Sequence, residues 1–367
     1  VHRKKYTRDC PWCSLFVKNT KKSTSGTVPG VHKRGYDMKK KILMIGTGGT
    51  ISSRNEGQGL SPGMPADDLM RFCPDIMGLC DVDCIQPVFL DSTNIRPGHW
   101  IKLADTVQRY YDDYDGFVIT HGTDTMAYTA SGLSYLLQNL RKPVVLTGSQ
   151  KPIDEPGSDA IRNLSDAFIC ACDDYCHNIM VVFFGSVIAG TRARKNYSRS
   201  YAAFGSVNFP EVARIINGKM IHYITEDAPA APTFYSYLNP NVGVLKFVPG
   251  LRNEILQSLI EQYDGLIIET FGVGGLPEYS DYYDQIKQAS EDGKLIVMTT
   301  QVANEGSDLS VYKVGAQIKD NLKVLEAYDM TTESAFAKLM WILGQTADFT
   351  TAQQLFYTTI NHDIICI

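Results

Sequence analysis

The sequence predicts an α/β protein with two domains, a larger N-terminal domain around a mainly parallel sheet and a smaller C-terminal α/β domain. Short aliphatic runs alternate with amphipathic segments of helical period, which is typical of βαβ units. A stretch rich in Pro and Ala, at 226–240, separates two such series and is the predicted linker. The 367 residues suffice for two domains, which we place at 38–225 and 241–367.

The predicted elements follow one another without a repeat. The first strand starts at Met38 and ends at Ile45, and Pro97 opens a helix because its missing N–H suits the first helical position. Further strands are predicted at 84–90, 116–120, 143–147 and 178–184, and helices at 97–110, 125–138 and 159–170. The C-terminal series has predicted strands near 243–247, 265–269 and 294–299, and helices near 252–262, 281–291 and 333–345.

Residues 1–37 differ from the rest of the chain because they are basic and polar. They hold nine Lys and Arg residues against two Asp residues, and their apolar run at 15–17 is too short for a signal peptide. We therefore expect a disordered extension ahead of the functional domain. Cys10 and Cys13 have the CxxC spacing of a zinc or redox site, but no second pair accompanies them.

Composition argues against several classes of protein. Hydrophobic residues make up 44% of the chain, and no apolar run is long enough to span a bilayer, so no membrane partner is expected. A net charge of −5 with a basic leader leaves an acidic body, which argues against nucleic acid as a partner. The nine cysteines form no regular framework, as expected for reduced thiols in a cytoplasmic protein.

Two segments that contain threonine follow predicted strands. Residues 46–51 read GTGGTI and residues 121–126 read HGTDTM. Ligands of open α/β sheets bind beyond the carboxyl ends of strands, so Thr50, Thr123 and Asp124 are expected to converge on one pocket. The first segment lacks the third glycine of GxGxxG and the Gly-Lys-Ser/Thr of a P-loop, which argues against a nucleotide site. A tight turn alone would explain its glycines but not its threonines.

The hydroxyl of Thr50 is the candidate nucleophile, and it needs a base or a proton relay. Asp124 and Lys195 are the candidates, because a lysine partly removed from water loses its proton more readily. Two alternatives stay open. Lys195 could belong to a solvated basic run over 192–199, and Asp124 could be the N-cap of the following helix.

Histidine and serine chemistry find less support in the sequence. His121 lies at the end of a predicted strand, where a structural hydrogen bond to the backbone is the expected role. The seven histidines show neither HxH nor HExxH spacing, so we expect no catalytic metal. The run from Gly148 to Gln150 lacks the spacing of a GxSxG elbow.

Two longer segments resemble the signatures of a known family. Met44–Ser52 resembles the first signature of the bacterial-type L-asparaginase/glutaminase family, and Gly116–Met126 resembles the second over its whole length. Shorter matches are Asp91–Thr93, Thr147–Gln150 and Gly190–Lys195. The resemblance covers the chain from Lys40 onward and implies the two-domain asparaginase-like fold. Without a signal peptide, the chain is most similar to the cytoplasmic type I branch.

The resemblance assigns the catalytic roles. Thr50 matches the family's acylated nucleophile, and Thr123, Asp124 and Lys195 match its second catalytic cluster. The implied reaction is hydrolysis of the side-chain amide of L-asparagine to L-aspartate and ammonia through an aspartyl–threonine ester. Backbone N–H groups near Thr123 are the expected oxyanion hole. The resemblance implies no metal and no organic cofactor.

The resemblance also assigns substrate contacts and an assembly. Ser92 matches a residue that holds the α-carboxylate of the substrate, and Asp124 would take its α-ammonium. Thr93 and Ser149 lie in the matching segments and are expected substrate contacts as well. Members of the family are dimers or tetramers, so a homodimer or homotetramer is expected.

The chain departs from the family at two positions. Leu60 stands where many relatives carry a tyrosine that helps to activate the nucleophile, so another group substitutes or Thr50 is activated from the side of Lys195. Val302 stands where some type I enzymes carry a cysteine of an allosteric site. Two rival functions stay open: an asparaginase-like subunit of a tRNA-dependent amidotransferase, and an amino-acid sensor without turnover.

Overall fold

The computed structural model describes residues 39–55 and 60–365. For residues 55 and 60–62 only the backbone is described, so the side chain of Leu60 is not. The predicted disordered extension at 1–37, with Cys10 and Cys13, lies outside the described residues.

The N-terminal part of the described chain holds most of the strands. They are β1 (Lys41–Gly46), β2 (Ser53–Asn55), β3 (Leu60–Pro62), β4 (Asp81–Ile85), β5 (Gly116–Thr120), β6 (Leu137–Gln138), β7 (Val144–Thr147), β8 (Ile179–Phe183), β9 (Ser186–Ala189), β10 (Ala193–Lys195), β11 (Phe204–Ser206), β12 (Ala213–Ile216), β13 (Lys219–His222) and β14 (Thr233–Phe234). The helices are α1 (Ala66–Leu69), α2 (Ile76–Leu79), α3 (Pro97–Arg109), α4 (Met126–Leu136) and α5 (Ala160–Ala171). Short 3₁₀ helices lie at Thr50–Ser52, Met70–Phe72 and Ser92–Asn94.

The C-terminal part is smaller and alternates strands with helices. Its strands are β15 (Val242–Lys246), β16 (Gly265–Thr270), β17 (Leu295–Thr300) and β18 (Leu325–Glu326). Its helices are α6 (Asn253–Gln262), α7 (Tyr282–Glu291), α8 (Lys313–Asn321), α9 (Thr332–Gln345) and α10 (Phe349–Tyr357), with a 3₁₀ turn at Leu309–Val311.

The larger sheet has eight strands in the order β13-β12-β9-β8-β7-β5-β1-β4. The strands β8, β7, β5, β1 and β4 are parallel, whereas β9, β12 and β13 extend the sheet in antiparallel fashion. The smaller sheet, β15-β16-β17-β18, is parallel throughout. The predicted fold class, with a mainly parallel larger sheet and a smaller α/β domain, is therefore confirmed.

One predicted strand is displaced and the antiparallel edge was not predicted. The strand expected at 84–90 is β4, which ends at Ile85, since Pro87 cannot donate a ladder hydrogen bond. Only an isolated bridge between Leu90 and Gly48 continues the pairing. The chain then reverses after β8 through Phe184 and Gly185, both at positive φ, to form β9. A phenylalanine at positive φ is uncommon, so no turn signal marked this reversal.

Both faces of the larger sheet are covered, and one of its cores continues into the C-terminal part. Helix α4 is buried at every position except Tyr128 and packs against α9 of the smaller domain. The same apolar cluster contains Leu43 of β1 and Ile267 of β16. Burial on this scale is the main stabilising term in folding, so the two domains stabilise each other. No helix among the residues that the model describes is long and apolar enough to cross a membrane.

The region that the sequence predicts as a linker is itself attached to the larger domain. Strand β14, at Thr233–Phe234, pairs with β6 in antiparallel fashion. Phe234 also packs edge-on against the ring of Tyr111. The boundaries at 226 and 240 stay predictions, but β14, which lies between them, packs against the larger domain.

A buried ion pair joins α9 to the segment after α10. Lys338 Nζ lies 2.5 Å from Asp363 Oδ2, and both side chains are fully buried. Tyr135 of α4 donates a hydrogen bond to the same oxygen, and the backbone N–H of Ile360 donates to the other carboxylate oxygen. Burial raises the pKa of Tyr135 well above its usual range, so it remains a donor.

Replacing Lys338 with Met should lower the free energy of unfolding by about 3–5 kcal/mol, because it leaves a buried carboxylate without its cation. Urea-induced unfolding followed by circular dichroism measures this change. Lys287→Met, at an exposed position of α7, is the control and should change the free energy by less than about 0.5 kcal/mol. The double variant Lys338→Met/Asp363→Asn should recover part of the loss, and no recovery would show that the uncompensated charge is not its cause.

Candidate active site

The turn after β1 lies directly against the backbone of two neighbouring segments. Gly48 and Gly49 have φ of 98° and 79°, in the region that favours glycine. A Cβ on Gly48 would lie 2.4 Å from the carbonyl oxygen of Leu90, and one on Gly49 would lie 2.3 Å from the nitrogen of Gly122. Both positions therefore require glycine, and the turn places Thr50 beside the loop that carries Thr123.

Thr50 is the first residue of the short 3₁₀ helix that follows this turn. The hydroxyls of Ser52 and Ser53 both donate to the carbonyl of Gly49 and hold the turn in place. Thr50 itself is half-buried, and its hydroxyl has no hydrogen-bond partner among the described residues. The side chain is thus accessible and not committed to a structural contact in that part of the chain.

The second segment follows β5 and leads into α4. Thr123 is buried, whereas Asp124 exposes 58% of its side chain. The N-cap position of α4 is occupied by Thr125, whose hydroxyl donates to the carbonyl of Ser92. The alternative in which Asp124 caps this helix is therefore wrong, and its carboxylate remains available for other contacts.

Lys195 brings a third element to the same place. It ends β10, which pairs with β11, and its Nζ lies 2.7 Å from Thr123 Oγ1 and 2.7 Å from Asp124 Oδ1. Its side chain is 18% exposed, whereas Arg199 further along the segment is exposed. These contacts contradict the alternative in which Lys195 belongs to a solvated basic run. The structure brings Thr123, Asp124 and Lys195 together.

Gln150 also contacts this cluster and was not predicted as a site residue. The Thr123 hydroxyl accepts a hydrogen bond from Lys195 and donates one, at 3.4 Å, to Gln150 Oε1. The amide nitrogen of Gln150 donates to the carbonyl of Ser200, across the opening of the β10–β11 hairpin. Gln150 follows β7, and the end of β7 lies next to the end of β5, which leads to Thr123. This position in the sequence was the signal that could have identified it.

Arg192 holds the segment that carries Lys195. It is fully buried, and its guanidinium lies 2.7 Å from Asp329 Oδ2 of the smaller domain. It also donates to the backbone carbonyls of Asp329 and His362. A buried charge-assisted pair of this geometry fixes position more than it adds stability. The smaller domain thus fixes the position of Lys195, three residues away.

The predicted substrate contacts lie in different environments. Ser92 is buried, and its hydroxyl lies against Gly122, where an added Cβ would come within 2.6 Å of it. Thr93 is exposed, and both its N–H and its hydroxyl donate to Asp91 Oδ1 at 2.8 Å. Ser149 is fully buried and donates to the carbonyl of Lys151. Ser92 lies beside the Thr123 loop, and the hydroxyls of the other two bond within their own segments.

His121 is fully buried behind the loop. Trp100 Nε1 and His121 Nε2 both lie 3.0 Å from Thr129 Oγ1, and His121 Nδ1 lies 2.7 Å from the carbonyl of Gly122. Since the carbonyl of Gly122 can only accept, the proton of the neutral histidine lies on Nδ1, and the threonine hydroxyl donates to Nε2. Burial lowers the pKa of His121 to about 4. These contacts match the structural role expected for it.

The four predicted catalytic residues do not form a metal site. Among the described residues, His, Cys, Asp and Glu side chains come close enough to share a metal ion at Asp173, Cys176 and His222. That cluster lies outside the site described above. The expectation that the reaction uses no cofactor stays a prediction.

The chain matches two family models and individual relatives over most of its length. The model described as Asparaginase, N-terminal matches residues 41–228, and the Glutaminase/Asparaginase C-terminal domain matches residues 241–356. An L-asparaginase of Thermococcus kodakarensis is 36% identical over 330 residues, which are 88% of this chain and 99% of the relative. A glutamyl-tRNA(Gln) amidotransferase subunit of Pyrococcus furiosus is 34% identical, over 88% of this chain and 76% of the relative.

A solved structure agrees with these matches. The crystal structure of L-asparaginase I from Vibrio cholerae superposes with a TM-score of 0.79 at 29% identity. The match covers 89% of this chain and 100% of that one. The predicted resemblance to type I enzymes is thereby confirmed at the level of sequence and fold.

We expect His121 to make the protein less stable in acid. Its pKa is about 4 in the folded state against an ordinary 6.5, so the unfolded chain takes up the proton first. The stability from this group is therefore complete above pH 6.5 and lost as the pH falls toward 4, by roughly 3 kcal/mol in all. Urea unfolding at a series of pH values should show a flatter dependence in His121→Gln. Equal profiles for wild type and His121→Gln would contradict this account.

Proposed function

The chain belongs to the asparaginase family and is an amidohydrolase, and on that premise we propose that it hydrolyses the side-chain amide of L-asparagine to L-aspartate and ammonia. One observation carries the proposal. Lys195 Nζ lies 2.7 Å from both Thr123 Oγ1 and Asp124 Oδ1. The loop that carries these two residues is in backbone contact with Gly49, the residue before Thr50. A nucleophile and a proton relay therefore lie side by side, as acyl transfer requires.

The proposed substrate site uses the opposite charges of the amino acid. The exposed carboxylate of Asp124 binds the α-ammonium group, and Ser92, which lies against Gly122, holds the α-carboxylate. These two contacts direct the side-chain amide toward the threonine hydroxyls. Thr93 and Ser149 would have to exchange their present hydrogen bonds to Asp91 and Lys151 in order to contact substrate.

In the proposed first step, Thr50 Oγ1 attacks the amide carbon and the C–N bond breaks. The hydroxyl proton passes to the departing nitrogen, which leaves as ammonia, and an aspartyl–threonine ester remains. No backbone hydrogen bond within the described chain uses the N–H of Thr123, which supports its role as an oxyanion donor. In the second step water attacks the ester, the Thr123–Lys195 pair takes up a proton from this water and passes it to the departing oxygen of Thr50, and L-aspartate leaves.

Thr50 needs a base, and this chain lacks the loop tyrosine of its relatives. Leu60 has no hydroxyl, so it cannot act as the family's loop tyrosine does. The Thr123 hydroxyl already accepts a hydrogen bond from Lys195, and in the proposed relay the Thr123 proton passes to Lys195 along this contact. We therefore propose that activation comes from the side of Lys195. The family relationship also supports a homodimer or homotetramer.

The amidotransferase relative motivates a second candidate function. That relative is longer than the region it shares with this chain, which makes up 76% of its length. A subunit of this kind would deliver ammonia to a partner rather than release it alone. The isolated chain therefore distinguishes the two functions, because only the asparaginase releases ammonia from free L-asparagine without a partner or tRNA. A sensor would bind the amino acid without turnover.

We expect the full chain to release ammonia from L-asparagine, and Thr50→Val to lower the turnover number by about four orders of magnitude or more. Valine keeps the shape of threonine but removes the hydroxyl, so the loss reports the nucleophile. Thr50→Ser, which keeps a hydroxyl, should retain measurable turnover, and mass spectrometry should detect the aspartyl ester only in chains with a hydroxyl at this position. L-glutamine serves as the comparison substrate. Substantial turnover by Thr50→Val would remove Thr50 as the nucleophile.

Lys195→Met should lower turnover by about 10²–10⁴-fold with little change in the free energy of unfolding, because it removes the proton acceptor of the relay. Arg199→Met is the matched control, since it removes a cation from the same segment at an exposed position. It should keep turnover within about twofold of wild type. Equal losses in the two variants would show that the charge of the segment, and not the contact with Thr123, sustains activity.

A further inference from the structure

A second group of reactive side chains lies at the opposite end of the larger sheet. Helix α5 carries the chain back from the carboxyl ends of the parallel strands, and residues 172–178 connect it to the start of β8. His222 ends β13, which runs antiparallel to β12 at the edge of the sheet. The group is therefore separated from Thr50 and Lys195 by the length of the strands.

Three different donor types meet in this group. The carboxylate of Asp173, the thiol of Cys176 and a ring nitrogen of His222 all lie within 4.8 Å of one another. Cys176 is buried and unpaired by any disulfide, while the side chains of His222 and Asp173 are 16% and 19% exposed. The donors thus lie just below the surface, with a route for a small ion.

The hydrogen bonds of His222 leave one of its nitrogens unsatisfied. Nε2 lies 3.1 Å from Asp173 Oδ2, and an ionised carboxylate can only accept, so the histidine donates from Nε2. Nδ1 is buried and has no hydrogen-bond partner in the part of the chain that the structure describes. An unpaired buried polar atom raises the free energy of the folded state.

A second thiol lies beside Cys176. The thiol of Cys170, in the last turn of α5, donates to the sulfur of Cys176 at 3.5 Å. Cys170 also lies 3.8 Å from the sulfur of Met180, so its own surroundings are apolar.

We propose that Asp173, Cys176 and His222 bind one Zn²⁺ ion. The donor set of one thiolate, one imidazole and one carboxylate suits zinc, and the thiolate argues against Mg²⁺ and Ca²⁺. Zinc bonds to these ligands are about 2.0–2.3 Å long, so modest side-chain rotations bring the three donors into its coordination shell. On binding, the Cys176 thiol loses its proton to solvent as the zinc–sulfur bond forms, and the two anionic ligands balance the charge of the ion.

The proposed ion would connect two segments that already meet through the His222–Asp173 hydrogen bond and the edge-on contact of Tyr175 with His222. Asp173 and Cys176 belong to the loop before β8, whereas His222 belongs to the outermost strand of the antiparallel edge. Zinc would thus tie the edge strand to the body of the sheet and stabilise the folded protein. This role is independent of the proposed hydrolysis of asparagine.

The test titrates the metal-free full chain with Co²⁺, whose absorption reports tetrahedral geometry and thiolate ligation. The chain carries Cys10→Ser and Cys13→Ser, so that the CxxC pair cannot contribute. We expect a thiolate-to-cobalt band that saturates at a single equivalent and disappears when Zn²⁺ is added. Zn²⁺ should also raise the midpoint of thermal unfolding.

Variants then assign the ligands. Cys176→Ser should abolish the thiolate band, and His222→Gln and Asp173→Asn should each weaken Co²⁺ binding by at least about tenfold. Cys84→Ser, at a half-buried thiol of β4, is the matched control and should bind as the parent does. Circular dichroism checks that each variant is folded, and Asp173→Asn, at a loop position, decides the question if Cys176→Ser does not fold. Absence of the band in the parent chain, or its persistence in folded Cys176→Ser, would overturn the proposal.

Discussion

The contact between the backbones of Gly49 and Gly122 is the constraint on which the arrangement of the site depends. No side chain fits at Gly49, where a Cβ would lie 2.3 Å from the neighbouring nitrogen. A similar contact recurs one strand further on, where a Cβ on Gly148 would lie 2.2 Å from the carbonyl oxygen of His121. The ends of three adjacent strands therefore touch through their main chains. These contacts between backbones position the hydroxyls that follow the strands.

Lys195 is positioned by a different part of the structure. Lys195 lies on a short hairpin outside the main sheet, and its position depends on Arg192, which is buried against Asp329 of the smaller domain. The smaller domain thus supplies no group to the described cluster but fixes one of its members. The shared core between α4 and α9 serves the same end, because it prevents the domains from moving independently.

The parallel strands could be predicted from the sequence because aliphatic runs bounded by glycine have few other interpretations. Thr50 and Thr123 were accordingly predicted at the carboxyl ends of two of these strands. Sequence reasoning placed one strand at 84–90, whereas Pro87 lies beyond the end of β4, and it missed the reversal at Phe184 because that residue gives no turn signal. It left Asp124 and Lys195 with two interpretations each, since burial and partners cannot be deduced from a basic run or a polar residue before a helix. The group of Asp173, Cys176 and His222 was not found because His222 lies far from the other two in the sequence.

The segment after α10 has a consequence for how the protein acquires its function during synthesis. The carbonyl of Asn361 accepts from Thr191, the carbonyl of His362 accepts from Arg192, and Asp363 pairs with Lys338. Chains emerge from the ribosome N-terminus first, so the larger sheet can form before these residues exist. The set of contacts that holds the Lys195 segment would be complete only after residue 363 has been translated. A nascent chain should therefore stay inactive while most of its fold is already formed. A tag or truncation near this segment would disturb the position of Lys195 although it lies outside the site.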